Sequence, residues 1–292
     1  MLEQYFRNTI IDTKEDITIY TSDDQGVKNF GKQWRDYRNV QIDSINKFSL
    51  SKDYLSEITL NDLSDFKNKN ILEIGCGAGR FTEYFAKYAK LCVSIDLSDA
   101  VFFNVSKNNV NVKLAKANFL DLEAKKKFDI VFCRGVIQHT PDPKQSIKKI
   151  HEFVKKNGLV IFDIYKMPKI GLFHPKYLLW RPLIQKLFTY EQFEDFLKKN
   201  IYWLLSLKRF LDILFFQKKF FSDCIIPIWD YNKKYKLTKD QLKKLSILDT
   251  LDGLYAKYDK PMKYDQVKNI LLKNKLHIVK SIKEKNYFCT SV

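Results

Sequence analysis

Residues 62–166 alternate short apolar runs with stretches of helical spacing, and this alternation restricts the fold more than any other feature of the chain. Strands that are separated by helices join through right-handed crossovers and form a parallel sheet with helices on both faces. The pattern therefore predicts a doubly wound α/β fold. The five apolar runs are 71–74, 91–95, 112–115, 128–133 and 159–164.

Local signals predict where several helices begin and end. Ser98 is expected to cap a helix that starts near Asp99, and Asp142 with Pro143 to begin another that runs to about residue 155. Asn157-Gly158 is expected to end that helix. Near the C-terminus the pattern predicts a helix over 262–273 and an antiparallel pair of strands over 276–282 and 286–291. Together these elements predict a Rossmann-like, mostly parallel sheet of seven strands.

Composition and hydrophobic periodicity divide the chain into four parts. We predict a helical N-terminal cap over residues 1–60 and a ligand-binding core over 61–166. Residues 167–248, rich in Leu and aromatic side chains but without strand alternation, are predicted to form a helical lid inserted after the fifth strand. Residues 249–292 are predicted to complete the core.

The cysteines and the N-terminus indicate the cellular compartment. The five cysteines are widely spaced and contain no C-x-x-C pair, which is typical neither of a zinc site nor of a disulfide framework. The first residues lack the pattern of a secretory leader. We therefore expect free thiols, a cytoplasmic protein and no metal site. The cysteines are Cys76, Cys92, Cys133, Cys224 and Cys289.

The formal net charge of +17 has two interpretations. Such a charge favours nucleic acid or an acidic membrane surface as a partner, but it also arises from a general preference for lysine. Only seven of the 51 cationic residues are arginine, whose forked side chain is preferred at nucleic-acid interfaces, and the lysines are spread along the whole chain. We therefore do not expect a nucleic-acid partner, whereas an anionic small-molecule substrate is compatible with the charge.

A glycine-rich loop follows the first predicted strand directly. Gly75, Gly77 and Gly79 lie at a strand-to-helix turn, where close approach of a ligand to the backbone requires glycine. Asp96 ends the second strand, near the offset of about 20 residues expected of a carboxylate that accepts ribose hydroxyl groups. Together these features predict a nucleoside-containing ligand.

The spacing of this loop favours one nucleoside ligand over another. Dinucleotide-binding loops normally read G-x-G-x-x-G and meet a pyrophosphate, whereas this loop reads G-x-G-x-G and is preceded by Glu73. A carboxylate would repel a pyrophosphate but suits a ligand with an ammonium and a sulfonium group. The sequence therefore favours S-adenosylmethionine over NAD.

Four segments resemble the motifs of class I S-adenosylmethionine-dependent methyltransferases, in the subgroup related to ubiquinone-biosynthesis enzymes. A further segment, FGKQW at 30–34, is similar to one that precedes the core in some bacterial members. The resemblance covers about residues 30–165 and resumes around 249–264, and the insertion between is not recognisable. The four segments are ILEIGCGAGRFT at 71–82, SIDLSDA at 94–100, ANF at 117–119 and FDIVFCRGVIQHTPDP at 128–143.

The resemblance implies a role for the loop residues in holding S-adenosylmethionine. It implies that Glu73 orients the loop or reaches the ammonium group through water, and that Asp96 binds the ribose. The turn around the amino-acid part of the cofactor is then formed by Gly75, Cys76, Gly77 and Gly79.

The resemblance also implies contacts to the two ends of the cofactor. Leu97 and Phe119 would sandwich the adenine, and Asn118 would accept a hydrogen bond from its amino group. The family more often has Asp at this last position, but Asn keeps an acceptor there. Arg134 and Gly135 would contribute backbone near the methionine part.

Gln138 and His139 lie where the family often faces the methyl group that is transferred. Because methyl transfer from a sulfonium needs mainly alignment and desolvation, a base is required only if the acceptor loses a proton. His139 is the candidate base, and the alternative is that it caps the turn before Pro141.

Two further pairs of residues are candidates for the acceptor side of the site. Tyr255 and Tyr258 either line an acceptor pocket or pack at the hinge of the lid. Asp163 and Tyr165, at the end of the fifth strand, lie at the ligand-facing edge of the sheet, where structural roles are at least as common.

The insertion contains an apolar stretch, 200–221, with three interpretations. A membrane-spanning helix is not expected, because Lys208, Arg209 and Asp212 interrupt the stretch. A lid helix that packs its apolar face on the core is favoured. The alternatives are contact with a membrane surface and the interface of a homodimer.

The sequence thus predicts a methyltransferase with S-adenosylmethionine as cofactor and a small-molecule acceptor. The acceptor is a sugar, a nucleotide-sugar or a lipid- or quinone-like compound, methylated on O or N. The alternatives are an RNA methyltransferase, a non-catalytic protein that binds the cofactor, and a nicotinamide-dependent dehydrogenase.

Overall fold

A computed structural model of the chain describes residues 2–22, 27–215, 219–232 and 237–292. The chain forms two compact units. The sheet unit comprises Met1–Arg38, Ile42–Lys166 and Tyr258–Val292. The helical unit comprises Asn39–Gln41 and Met167–Lys257, so it extends nine residues beyond the insertion end predicted at residue 248.

Among the described residues, nine strands form one sheet, in the order β1-β2-β5-β4-β3-β6-β7-β9-β8. All neighbours from β2 to β7 pair in parallel, whereas β1, β9 and β8 pair antiparallel with their neighbours. The predicted doubly wound, mostly parallel sheet is confirmed. The strands are β1 Asp12–Lys14, β2 Ile17–Ile19, β3 Asn70–Ile74, β4 Leu91–Asp96, β5 Val112–Lys116, β6 Phe128–Cys133, β7 Val154–Asp163, β8 His277–Ile282 and β9 Tyr287–Ser291.

The sheet has two strands more than the seven predicted, because residues 12–19 form a hairpin. Its second strand pairs in parallel with β5, with Thr18 opposite Ala115. The N-terminal cap is therefore not purely helical. The hairpin strands are only three residues long, too short for the period-two pattern to reveal them in the sequence.

Helices cover both faces of the sheet and make up most of the helical unit. In the sheet unit the helices are α1 Lys28–Asp36, α2 Asp43–Asn46, α3 Leu50–Ile58, α4 Thr82–Tyr88, α5 Pro143–Glu152 and α10 Tyr264–Lys273; in the helical unit they are α6 Arg181–Leu187, α7 Tyr190–Leu214, α8 Lys219–Ile225 and α9 Lys239–Tyr255.

The core lies in two layers, one on each face of the sheet, because successive side chains of each strand point to opposite faces. Leu72 of β3 and Val131 of β6 pack in one layer. Ile71 and Ile130 pack in the other layer. Burial on both faces explains why these strands read as continuous apolar runs in the sequence.

Two predicted helices differ from the structure, one in its end and one in its type. The cap by Asp142 is as predicted, since its carboxylate accepts from the backbone N–H groups of Lys144 and Gln145. The helix, however, ends at Glu152, and Asn157-Gly158 lies inside β7, at an irregularity of its register with β6. The left-handed φ of Asn157, +61°, is accommodated there. Ser98 caps a short 3-10 helix, Asp99–Phe103, and not an α-helix.

Two cationic residues of α7 that interrupt its apolar stretch are paired within the helical unit. Lys208 is 4% exposed and contacts the carboxylate of Asp223, and Arg209 donates twice to Asp230. The predicted apolar stretch 200–221 continues past α7, and its residues 216–218 lie outside the described residues. In the described part of the chain, no helix is both long enough and apolar enough to cross a membrane.

Candidate functional site

The order of the strands makes the carboxyl ends of β3 and β6 the switch point of the sheet. The chain proceeds from β3 through β4 to β5 on one side, and then returns to β6 and β7 on the other side of β3. At such a switch point the loops after two neighbouring strands diverge, and ligands of α/β proteins bind there. The glycine loop follows β3, and the segment 134–140 follows β6.

The three glycines of the loop all have left-handed backbone conformations. Their φ angles are +75° at Gly75, +51° at Gly77 and +100° at Gly79. A Cβ atom at Gly75 would lie 2.1 Å from a methyl carbon of Val136, in the loop after β6. At Gly75 a side chain is therefore excluded both by the backbone conformation and by close packing between the two loops. The thiol of Cys76, between the first two glycines, is buried, which raises its pKa.

The carboxylate of Asp96 ties the end of β4 to the glycine loop. Its Oδ2 accepts from the backbone N–H of Gly77 at 2.7 Å, and its Oδ1 accepts from the backbone N–H and the hydroxyl of Ser98 at 2.8 and 2.6 Å. Burial raises the pKa of Asp96 above its ordinary value. A carboxylate offers about four acceptor positions, so one remains on Oδ2 for a ligand.

Glu73 lies at the end of β3 beneath the glycine loop and is 1% exposed. Its Oε2 accepts from the hydroxyls of Thr82, at the start of α4, and of Ser94 on β4, at 2.6 and 2.7 Å. Burial raises the pKa of Glu73 to about 7. A carboxyl group that is partly neutral near pH 7 repels a pyrophosphate only weakly. The electrostatic argument for S-adenosylmethionine over NAD is thus weaker than the sequence suggested.

Three residues predicted at the adenine end lie after β4 and β5. Leu97 is partly exposed next to Asp96. Asn118 donates to Asp121 at 2.7 Å and accepts from the backbone N–H of Leu120 at 3.2 Å, so its Oδ1 keeps one acceptor position. Phe119 belongs to the apolar core and is 6% exposed, which leaves little of its ring for a stacking partner.

A second carboxylate organises the loop after β6. Asp163, at the end of β7, accepts from the backbone N–H of Gly135 at 2.6 Å, and its Oδ2 lies 3.8 Å from Nε of Arg134. The guanidinium of Arg134 lies 4.3 Å from the ring centre of Tyr54 and also faces Phe81. Burial is the largest single influence on the pKa of Arg134 and lowers it. Asp163 and three nearby tyrosines together raise this pKa by more, so the side chain stays charged.

In this loop Gly135 borders open space and the side chain of Gln138 has polar atoms without partners. Gly135 has φ +70°, and a Cβ atom built there would meet no heavy atom within 4 Å. The side chain of Gln138 is fully buried, yet neither its Oε1 nor its Nε2 has a hydrogen-bond partner in the structure described here. Buried amides without partners are rare in native proteins.

His139 is held in one orientation by a returning segment of the sheet unit. Its Nδ1 lies 2.8 Å from the carbonyl oxygen of Tyr258. A carbonyl only accepts, so Nδ1 carries the proton and the lone pair of the neutral ring is on Nε2. The same segment binds the loop again through Lys260, whose backbone N–H donates to the carbonyl of Gln138 at 2.9 Å. The ring of His139 also packs on Tyr165, with centroids 5.3 Å apart.

Helix α1 contacts the loops after three different strands. Trp34 lies against Gly77, since a Cβ atom there would be 2.6 Å from the indole ring. Gly31 lies against Ser98, since a Cβ atom at Gly31 would be 3.3 Å from the Cβ atom of Ser98. Phe30 packs on His139 with ring centroids 4.9 Å apart. The helix therefore crosses the carboxyl edge of the sheet.

Tyr255 lies in the helical unit and Tyr258 in the sheet unit. The Tyr255 hydroxyl donates to the carbonyl of Phe188 at 2.9 Å, and its ring packs on Tyr190 and Phe193. These contacts match the packing alternative. Tyr258 presents its carbonyl to His139, and a pocket role for either tyrosine stays a prediction.

Among the described residues, no group of three or more His, Cys, Asp and Glu side chains is placed to hold a metal ion.

Several residues that organise the site were not singled out from the sequence. Thr82 and Ser94 hold Glu73, and Tyr54 contacts Arg134. One signal was present: Ser94 interrupts the apolar run LCVSID, and the pairing of β3 with β4 places it directly beside Glu73. Two polar residues in neighbouring buried strands need each other as partners.

Comparisons with known proteins match the region that contains this site. Residues 72–162 match a family model described as a methyltransferase domain. The ubiquinone biosynthesis O-methyltransferase of Coxiella burnetii is 31% identical over 104 residues, which are 33% of this chain and 44% of that protein. The enzyme of the same description from Pseudomonas syringae pv. tomato is 30% identical over 121 residues, 39% of this chain and 52% of that protein. The chain thus spans about half the length of these relatives.

Two solved structures are similar to the chain at lower identity. The N-methyltransferase NodS from Bradyrhizobium japonicum, in complex with S-adenosyl-L-homocysteine, is 20% identical and covers 48% of this chain and 74% of its own, with a TM-score of 0.38. PKMT2 from Rickettsia typhi is 15% identical and covers 80% of this chain and 43% of its own, with a TM-score of 0.49.

The raised pKa of Glu73 predicts a specific dependence of stability on pH. Because the folded protein binds this proton more tightly than the unfolded chain does, the contribution is fully present below about pH 4.5 and is lost as pH rises through about 7. Glu73→Gln keeps an acceptor for Thr82 and Ser94 but does not titrate. Relative to this variant, the wild type should lose about 3 kcal/mol of unfolding free energy between pH 4.5 and 7.5.

Urea unfolding of both proteins across this pH range measures the difference. Parallel curves for wild type and Glu73→Gln would show that the carboxyl group titrates normally, and would contradict its burial as a largely neutral group.

Proposed function

We propose that this chain, which contains a class I S-adenosylmethionine-dependent methyltransferase domain, transfers a methyl group from S-adenosylmethionine to a small-molecule acceptor. One observation carries the proposal: the glycine loop after β3 is bonded through Gly77 to the carboxylate that ends β4, within the residues that match the methyltransferase domain. The site lies at the switch point of the sheet, where the fold binds nucleosides.

Two features of the structure fit this cofactor. The backbone of Gly135 borders open space at the carboxyl end of β6, so a ligand can approach it closely. The fully buried amide of Gln138 has unused donors and an unused acceptor, which a polar ligand would satisfy. Both residues lie in the loop that faces the glycine loop across the switch point.

Each named residue has a role that follows from its surroundings. Asp96 would accept from a ribose hydroxyl with its remaining position on Oδ2. Asn118 would accept from the adenine amino group with the free position on Oδ1. Glu73 would hold the glycine loop through Thr82, without touching the ligand.

The cofactor supplies an activated methyl group on a sulfonium, so the protein's main contribution is alignment and exclusion of water. Trp34 and Phe30 on α1 would cover the carboxyl edge of the sheet, because they already contact Gly77 and His139. The Arg134–Asp163 pair would hold the position of Gly135. A proton leaving the acceptor would go to Nε2 of His139, whose lone pair is fixed by the bond from Nδ1 to Tyr258.

We favour a hydroxyl group as the acceptor, in a sugar, a nucleotide-sugar or a lipid- or quinone-like compound. A hydroxyl must lose its proton on methylation, and His139 is oriented with the lone pair on Nε2 that would accept this proton. Two relatives are described as O-methyltransferases of ubiquinone biosynthesis. An RNA methyltransferase and a non-catalytic cofactor-binding protein remain the alternatives, and no contact in the site favours either.

Titration of the full chain with S-adenosylmethionine in a calorimeter tests the cofactor assignment. Asp96→Ala should weaken binding about 30-fold, because a hydrogen bond to a charged group contributes about 2 kcal/mol. Asp96→Asn keeps an acceptor and should lose less. Thermal unfolding of both variants checks that the glycine loop is intact.

Two results would contradict this assignment. One is unchanged affinity of Asp96→Ala for S-adenosylmethionine. The other is tighter binding of NADH than of S-adenosylmethionine by the wild type, which would identify a dehydrogenase.

The two interpretations of His139 are separated by a pair of variants. Asn at position 139 can still donate to the carbonyl of Tyr258 but has no basic nitrogen, whereas Ala can do neither. If His139 is the base, His139→Asn lowers kcat for a hydroxyl acceptor about 100-fold or more and leaves the affinity for S-adenosylmethionine unchanged. If it only caps the turn, His139→Asn keeps near wild-type kcat and only His139→Ala loses it.

A further inference from the structure

The helical unit exposes far more apolar surface than the sheet unit. Among the described residues, 16 of the 26 exposed large hydrophobic side chains lie in the helical unit, which holds about a third of the chain. Single exposed apolar residues are normal on soluble proteins, but a concentration of them marks an interaction site.

The densest group lies between residues 169 and 187. This segment contains a 3-10 turn, Gly171–Phe173, a π-helical turn, Lys176–Trp180, and α6. Phe173 is 80% exposed, Leu178 67% and Leu187 61%. We call this group the leucine face; it consists of Ile170, Leu172, Phe173, Leu178, Leu179, Leu183 and Leu187.

The opposite side of α6 is fixed within the helical unit, so the leucine face cannot simply turn inward. The guanidinium of Arg181 donates to the carbonyls of Gly253 and Ala256, at 2.7 and 2.5 Å. Gln185 donates to the carbonyl of Leu254 at 2.9 Å, and Ile184 is 7% exposed. The solvent-facing side of a helix in a soluble protein is usually polar, but on α6 it includes the exposed leucines Leu183 and Leu187.

The charge of the segment identifies the partner. Residues 169–187 contain no Asp or Glu and four Lys and Arg residues, of which Arg181 is buried and the other three are lysines. The helical segment 167–257 as a whole holds 17 Lys and Arg against nine Asp and Glu. A second copy of a chain with a net charge of +17 would be repelled. A surface that is both apolar and anionic would be attracted.

We propose that the leucine face docks on the surface of an anionic lipid membrane, with its apolar side chains at the boundary between headgroups and acyl chains. Exposed Phe and Leu residues supply the hydrophobic part of such binding. Lys169 and Lys186, both exposed, supply attraction to anionic headgroups. In this arrangement α6 lies in the plane of the interface and does not cross it.

Flotation of the full chain with lipid vesicles tests the proposal. The protein should bind vesicles of equal parts phosphatidylcholine and phosphatidylglycerol, bind phosphatidylcholine alone more weakly, and be released by salt. Each of Leu179→Ser, Leu183→Ser and Leu187→Ser should weaken binding about tenfold. Lys186→Ser should weaken binding about fivefold, on the anionic vesicles only.

The matched control lies on α7, where Trp203 and Phe210 are 63% and 60% exposed. Trp203→Ser and Phe210→Ser remove comparable apolar surface in the same unit and should change binding by less than about twofold if the leucine face is the docking surface. All these positions are exposed, so the variants should fold, which circular dichroism and thermal unfolding verify.

Four results would overturn the proposal. They are no binding of the wild type to the anionic vesicles, unchanged binding when all three leucines are replaced, an equal loss in the α7 controls, and a dimer in solution that the leucine substitutions convert to monomer. The last result would assign the leucine face to a second copy. None of them bears on cofactor binding, because the leucine face contains no residue of the proposed methyltransferase site.

Discussion

The hydrogen bond from the backbone of Gly77 to the carboxylate of Asp96 is the contact on which the rest of the site depends. It joins the loop after β3 to the end of β4 over 2.7 Å. The left-handed glycines allow the backbone to reach the carboxylate, and Ser98 holds the carboxylate from the other side. The backbone N–H groups of Gly75 and Cys76 also donate to the carbonyl of Ile95, at 2.8 and 3.1 Å, so the loop is fixed to the end of β4 at several points and a nucleoside can meet both.

Two other buried carboxyl groups hold the elements around the neighbouring strands. Asp163 at the end of β7 holds the backbone of Gly135 after β6, and buried Glu73 links β3 to β4 and the start of α4. Asp96 and Asp163 thus bind the loops after β3 and β6, and Glu73 fixes the helix that follows the glycine loop, so these parts of the site are positioned before any ligand arrives. Such preorganisation is what methyl transfer by alignment requires.

The sequence predicted the parts of the fold that repeat and missed those that do not. The five parallel strands β3 to β7 were found because their runs are apolar and both faces are buried. The antiparallel pair of β8 and β9 was also found, although β8 is only partly buried. The hairpin at 12–19 was missed because strands of three residues are too short to show the period-two pattern of apolar residues. Asn157-Gly158 was misassigned because the same residues suit a helix end and an irregular strand. The glycine loop and Asp96 were found together, whereas the contacts of Tyr54 with Arg134 depend on tertiary packing that no local pattern reveals.

A crystal structure of the full chain with S-adenosyl-L-homocysteine tests the central claim most directly. The account predicts that the ribose hydroxyls lie within hydrogen-bond distance of Asp96, and that the homocysteine part passes between the glycine loop and Gly135. Ligand density elsewhere on the chain, or an Asp96 carboxylate that contacts only Gly77 and Ser98 while the ligand is bound, would contradict it.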